Sequence, residues 1–263
     1  MQINAGTDWQ KNLKKIDGLT HRALRLKARV IALPETFCAR TYSDQFRELA
    51  GEVTPQVIRR FQETARQTKT AFLLGSLLEL SKEKTRFYNT SYLISEKGKI
   101  TARYRKIHLF DIFMKKQVKV SESEHIRPGR QIAVGHVWKI RAGLTICYDL
   151  RFPELYRRLV RLGSRIIFVP SNFTETTGKA HWEVLLRARA VENQAFIIAP
   201  AQVGIHPANG IRSFGTSLVV DPWGNVLARG DRQREGVIMA NLRLEFQDWL
   251  RRSFPVLKHR ALS

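Results

Sequence analysis

The chain has 263 residues, ample for a sizeable core, and 43% of them are hydrophobic, which excludes a disordered chain. It carries 45 Lys and Arg against 23 Asp and Glu, a formal charge of +22, so nucleic-acid binding has to be weighed. The basic residues are spread along the chain, with no zinc-finger spacing, Gly/Arg tail or RNP-type aromatic motif, so solvated helix faces are the simpler reading and specific nucleic-acid binding is not expected.

The two cysteines, Cys38 and Cys147, imply no disulfide framework and suggest a reducing, cytoplasmic setting. No apolar run approaches the ~20 residues of a membrane span, and MQINAGTDWQ lacks the basic and apolar regions of a signal peptide.

In chain order, Leu13, Ile16, Leu19, Ala23 and Leu26 recur at helical spacing, which predicts a helix from Trp9 to Leu26 capped by Asp8. ARVIALP reads as a short buried strand. A helix is expected from Pro55 to Thr68, with Thr54 as its cap and proline at its first position. Thr70 to Leu80 reads as a strand. FYNTSYLISEKGKITARYRKIHL predicts a hairpin turning at Lys97-Gly98, and QIAVGHVWKIRAGLTICY a second one ending on Cys147.

Pro153 to Leu162 returns to helix, RIIFVPSN is a strand, and Ala180 to Asn193 a helix. Strands follow at Ala195 to Gln202, Gly215 to Asp221 and Val226 to Ala228, with GVIMANL as the last. Strands alternating with helices predict an α/β fold, the hairpins make its sheet mixed, and no linker or repeat divides residues 1–263, so a single domain is expected.

Cys147 ends an apolar run and is followed at once by a charged turn. It is either a small core residue or a nucleophile presented at a strand end. A helix N-terminus and nearby cations would lower its thiol pKa. A cysteine hydrolase also needs a base and an oxyanion stabiliser. No histidine sits in a cysteine-protease signature, but a carboxylate and a lysine can do these tasks. VIALPETF offers Glu35 and YRKIHLFD offers Lys106, each of which alone reads as a structural strand-end residue. Without C-x-x-C or H-E-x-x-H no zinc site is expected, and neither GxGxxG nor a P-loop supports nucleotide binding.

Taken together, ALPETF, YRKIHLFD and GLTICYDLRFPEL resemble the three catalytic motifs of the nitrilase superfamily of carbon–nitrogen hydrolases. FYNTSYLI, FGTSLVVDPWGNVLA, GKAHWEVLLRARAVENQ and RRSFPVLKHR also resemble its blocks, the last two most like the Nit branch, so the likeness runs nearly end to end.

The resemblance implies a four-layer α-β-β-α sandwich that associates into a homodimer or larger homo-oligomer. It implies hydrolysis of a small carboxylate-bearing amide, with deaminated glutathione first and alpha-ketoglutaramate or an N-carbamoyl amino acid as alternatives. No cofactor is implied.

Cys147 would be the nucleophile, Glu35 the general base and acid, and Lys106 with the Tyr148 N–H the oxyanion hole. Glu122, with Glu124 as the alternative, would be the second glutamate that orients the lysine. Arg151 would pair with a substrate carboxylate or, alternatively, with a structural acid such as Glu154. Phe173 and Thr174 are expected on the pocket wall. Trp182, Glu183, Arg187 and Arg189 are expected to be structural or at a subunit contact, and Cys38 structural. Compared with the family pattern, MQINAGTDW stands about where the first strand finishes, so part of that strand is expected to be absent. IFMKKQVKVSE is expected as a basic loop beside the site.

Overall fold

The structure, a computed structural model, describes residues 1–83, 85–114 and 118–261. Helix α1 (Trp9–Arg25) starts where the Asp8 carboxylate accepts the Lys11 N–H at 3.0 Å, and it buries Leu13, Ile16 and Ala23 along one face. The next helical stretch differs from the reading at its cap. A short turn, α2 (Phe46–Glu48), continues through a π-helical turn (Leu49–Val53) directly into α3 (Thr54–Thr68). Because the helix does not begin afresh at Thr54, its hydroxyl is free to donate to Leu78 O, 2.8 Å away.

α1 and α3 cover one face of a four-stranded sheet, ordered β1 (Val30–Ala32), β2 (Ala71–Leu80), β3 (Phe87–Ile94), β4 (Ile100–Arg105). The pleat sorts its side chains. Phe72, Leu74 and Ile94 meet Leu13, Ile16 and Phe61 of the helices, while Ala71, Leu73 and Leu93 face the second sheet. Each Leu, Ile or Phe buried in this way is worth ~1.5–3 kcal/mol.

A small hairpin follows, β5 (Asp111–Met114) with β6 (Val118–Ser121). This corrects the expected basic loop: antiparallel pairing of Ile112 with Val120 and of Asp111 with Ser121 makes the segment a ribbon. Lys115, Lys116 and Gln117 of that segment lie outside the described residues.

The second sheet joins β7 (Val134–Val137), β8 (Ile140–Leu144), β9 (Ile166–Phe168), β10 (Phe196–Ala199), β13 (Leu218–Val220) and β14 (Val226–Arg229), in the spatial order β14-β13-β10-β9-β8-β7. Its centre, β8-β9-β10, is parallel and the flanking pairs are antiparallel. The crossovers are α4 (Pro153–Arg161) and α5 (Glu175–Asn193), whose Leu155, Leu159, Trp182 and Leu186 share a core with Leu144, Ile167 and Phe168. The four layers are thus helix, sheet, sheet, helix. A separate hairpin, β11 (Val203–Ile205) with β12 (Arg212–Phe214), and a C-terminal helix, α6 (Leu244–Ser253), were not anticipated.

Two further expectations are corrected. α5 begins five residues before Ala180, at Glu175. A Cβ on Gly178, in its first turn, would lie 2.3 Å from the Phe214 ring, so the glycine lets β12 close against the helix. GVIMANL is not a strand. Only Gly236 pairs, in one bridge with Gln2, and residues 237–242 instead line a groove with Met1 and Val30–Ala32. With a single bridge there is no ladder to hold the segment extended. The first residues are nonetheless tied in: Ile3 bridges Gln202, and the buried Met1 ammonium donates to Ala32 O at 2.7 Å.

Candidate active site

The site gathers just beyond the C-terminal ends of β1, β4, β8 and β9. Glu35 follows β1 on a tight turn in which Thr36 takes φ 50° and donates its N–H to Ser76 Oγ at 2.9 Å. β2 approaches so closely here that a Cβ on Gly75 would lie 2.0 Å from Leu33 O. Gln202 Nε2 donates to Glu35 O at 2.9 Å, which fixes the turn from the far side. Lys106 directly follows β4, its N–H on Asn89 O at 2.9 Å. Glu122 opens the short turn after β6 and accepts the Phe110 N–H at 2.8 Å.

β8 runs on through Thr145 and Ile146 into a 3-10 turn, Cys147–Arg151. Cys147 adopts φ 48°, a left-handed conformation uncommon for a residue with a side chain, and donates its N–H to Pro170 O at 3.0 Å. Asp149, fully buried, braces this turn. One oxygen accepts the Ile146 N–H (2.8 Å) and the Tyr104 hydroxyl (2.7 Å), and the other accepts from the His108 N–H (3.1 Å) and contacts His108 Nδ1 (2.7 Å). The Tyr148 N–H, between these anchors, has no protein acceptor among the described residues.

The side chains converge on one buried cluster. Lys106 Nζ lies 3.0 Å from Glu35 Oε1 and 2.8 Å from Glu122 Oε2. Asn89 Nδ2 bridges the two acids, donating to Glu35 Oε1 at 3.1 Å and Glu122 Oε1 at 3.2 Å. The other Glu35 oxygen accepts the Asn172 N–H at 2.8 Å. Glu124 lines the same pocket, but it is Glu122 that contacts the lysine.

The electrostatics follow from burial. Burial opposes a charge on Lys106, but the Glu122 and Glu35 carboxylates outweigh it and hold the ammonium pKa well above its usual value. The Cys147 thiol is also pushed well up, first by burial and then by the Glu35 carboxylate, against the pull of Lys106 and the Asn172 N–H. This corrects the expectation of a lowered thiol pKa. Cations near a thiol lower it only when desolvation and anions do not dominate. A thiol shifted this way would have to give up its proton as any bond to its sulfur forms.

The cluster floors a pocket of about 490 Å³ that Tyr148, Arg151, Phe173 and Thr174 also line. Arg151 makes no ion pair with Glu154. Its Nη1 meets His181 Nδ1 at 3.2 Å, and its guanidinium stands 5.6 and 5.5 Å from the Tyr148 and Phe173 ring centres. Thr174 also caps α5. Trp182, Glu183, Arg187 and Arg189 serve packing and tie α5 to Thr216, Arg229, Gly224 and Leu150. Cys38 is buried, its thiol pKa raised to about 12 by desolvation. Among the described residues no group of three or more His, Cys, Asp or Glu is placed to hold a metal ion, and no helix is long and apolar enough to cross a membrane.

Sequence reasoning missed four supporting residues. Asn89 and Asp149 lie inside quoted motifs, but their partners are 33 to 54 residues away. Asn172 and Arg40 form a relay to Glu35. The Arg40 guanidinium, 1% exposed, donates to Ser213 Oγ at 2.9 Å, Ser213 donates to Asn172 Oδ1 at 2.6 Å, and the Asn172 N–H reaches Glu35.

Comparison with known proteins places the geometry. The carbon-nitrogen hydrolase family profile matches residues 1–251. A deaminated glutathione amidase of Dictyostelium discoideum is 35% identical over 270 residues, covering 100% of this chain and 92% of that one. The crystal structure of the C. elegans NitFhit protein superposes with a TM-score of 0.89 at 34% identity, over 99% of this chain and 63% of that longer chain. A mutant of the amidase from Nesterenkonia sp. AN1, solved after Michael addition of acrylamide at its active-site cysteine, matches with a TM-score of 0.79 at 26% identity, over 97% of this chain and 96% of that one.

Proposed function

The chain belongs to the carbon–nitrogen hydrolase family, and from that premise we propose that it is an amidase cleaving a small carboxylate-bearing amide, with deaminated glutathione as the favoured substrate. The observation that carries the reading is the convergence of Glu35, Lys106 and Glu122 beside Cys147 on the pocket floor.

In this reading the Cys147 sulfur attacks the amide carbon while its proton passes to Glu35. The resulting oxyanion is held by Lys106 Nζ and the Tyr148 N–H. Collapse breaks the C–N bond, and Glu35 returns the proton to the departing nitrogen. A thioester remains on Cys147. Glu35 then takes a proton from water, the hydroxide attacks, the C–S bond breaks, and the thiolate is reprotonated. Glu122 keeps Lys106 charged and aimed.

Arg151 binds the substrate carboxylate through the bidentate fork that guanidinium offers. Phe173 and Thr174 form the wall. The working unit is a homo-oligomer, supported by the exposed Val184, Val191, Trp249 and Phe254 of α5, α6 and its end, apolar surface that a second copy would bury.

The test is product release from deaminated glutathione, alpha-ketoglutaramate and N-carbamoyl amino acids, each beside Cys147→Ala. Turnover fastest on deaminated glutathione and absent in the variant supports the reading. A folded protein that hydrolyses no amide sinks it, and a preference for either other class replaces the substrate.

A further inference from the structure

The reaction steps leave one cationic wall of the pocket unused. The β11–β12 hairpin contributes His206, Ile211, Arg212 and Ser213 to the same pocket as Cys147. Its charge is not matched. Arg212 Nε stands 3.6 Å from Glu175 Oε2, but the same carboxylate also faces Arg232 at 2.9 Å and Lys179 at 3.4 Å. One anion serves three cations, and Arg212 has the longest contact of the three. Among the described residues no other acid lies within ion-pair distance of Arg212.

His206 supplies a neutral donor to the same pocket. Its Nδ1 accepts the Ala208 N–H at 3.2 Å, which assigns the ring proton to Nε2. Burial, with the Arg40 charge, pushes the ring pKa down to about 4, so the imidazole is uncharged at neutral pH.

The hairpin's place relative to the scissile bond follows from two hydrogen bonds. Ser213, the neighbour of Arg212, donates to Asn172 Oδ1 at 2.6 Å, and the Asn172 N–H donates to Glu35 Oε2 at 2.8 Å. Glu35 is the group that protonates the departing nitrogen, so the hairpin adjoins the leaving-group side. Arg151, on the turn of Cys147 itself, adjoins the acyl group that the sulfur retains.

We propose that Arg212, with the His206 Nε2–H, forms a second anion subsite that receives a carboxylate carried by the leaving amine, so that the pocket takes amides charged at both ends. The inference rests on the amidase reading and adds what lies on the far side of the bond. It separates two substrate classes that share an acyl group: amides that release ammonia and amides that release a carboxylate-bearing amine.

The experiment compares wild type with Arg212→Gln on three substrates of one acyl group: alpha-ketoglutaramate, deaminated glutathione, and deaminated glutathione with its C-terminal carboxylate converted to a carboxamide. Removing a charge-assisted contact is expected to lower kcat/KM on deaminated glutathione by about 10- to 100-fold, chiefly through KM. Alpha-ketoglutaramate should change less than about twofold, and wild type on the carboxamide should resemble the variant on the parent compound. Arg232→Gln removes a contact to the same Glu175 without lining the pocket, and should leave all three rates unchanged. An equal fall on all three substrates, or no fall on deaminated glutathione, overturns the subsite. Failure of the amidase reading looks different: wild type then turns over none of them.

Discussion

Two buried cations show how differently one fold uses a positive charge. Lys106 and Arg40 are 2% and 1% exposed. Lys106 sits against two carboxylates, which outweigh burial and keep it charged. Among the described residues Arg40 touches no carboxylate. It donates to Ala5 O at 2.7 Å, to Ser213 Oγ, to Asn4 Oδ1, and to Val203 O and Ile205 O at 3.3 and 3.2 Å, and burial pulls its pKa down to about 10. A guanidinium still stays charged at neutral pH with that shift, so five acceptors can hold it where an ammonium would need an anion. Lys106 faces Glu35 and Glu122 in the pocket that Cys147 also lines. Arg40 pins the N-terminal arm, the β11 strand and, through Ser213 and Asn172, the orientation of Glu35.

The contrast can be broken at either cation. Replacing Lys106 with Met removes the proposed oxyanion donor and leaves two buried acids facing each other, so kcat should fall by about 10³ or more while substrate still binds. An ammonium needed only for folding would instead show lost stability with kcat intact in the fraction that folds. Glu122→Gln keeps the shape but weakens the aim of Lys106. Steady-state kinetics should show kcat lower by about 10- to 100-fold with little change in KM.

Arg40→Met should act the other way round. Several carbonyl and side-chain oxygens lose their donor together, and urea unfolding should show a loss of about 3 kcal/mol or more. Ser213→Ala sharpens the relay by itself: about tenfold in kcat, with roughly 1 kcal/mol of stability lost. A Ser213→Ala enzyme with unchanged kcat would show that Asn172 holds Glu35 without help from Arg40.

The smallest expected effect is on pH dependence. His206 has its pKa lowered from 6.5 to about 4 by burial, with Arg40 adding to the shift. Between those values the unfolded chain binds more protons than the folded one, so stability rises with pH through this window. The contribution is fully present above pH 6.5 and is lost as pH falls toward 4. Unfolding midpoints for wild type and His206→Asn should therefore converge at acid pH. Parallel curves would mean that the ring does not titrate with folding.

Much of this layout is legible in the sequence because it is local. The apolar runs ending at Pro34 and Ile146, and the hairpin leading to Lys106, place three chemically capable residues at strand ends. Cap and turn chemistry also reads well, as at Asp8 and at Gly98, whose φ is 72°. The misses are long-range. Nothing near Arg40 in the chain announces Ser213, 173 residues later, and Asp149 declares its role only through Tyr104 and His108. Gly178 owes its place to Phe214 across the fold, and GVIMANL misleads because an apolar run does not supply a pairing partner. The thiol shift is missed for a related reason: burial is a property of the assembled site.

The central claim is that Cys147 carries the acyl group between two half-reactions. The most direct measurement is rapid acid quench of the wild-type protein with deaminated glutathione, followed by peptide mass spectrometry. The account predicts a transient alpha-ketoglutaryl adduct on the peptide containing Cys147, lost in Cys147→Ala and accumulating when water attack is slowed. Turnover without any adduct on Cys147, or turnover that survives Cys147→Ala, would contradict it.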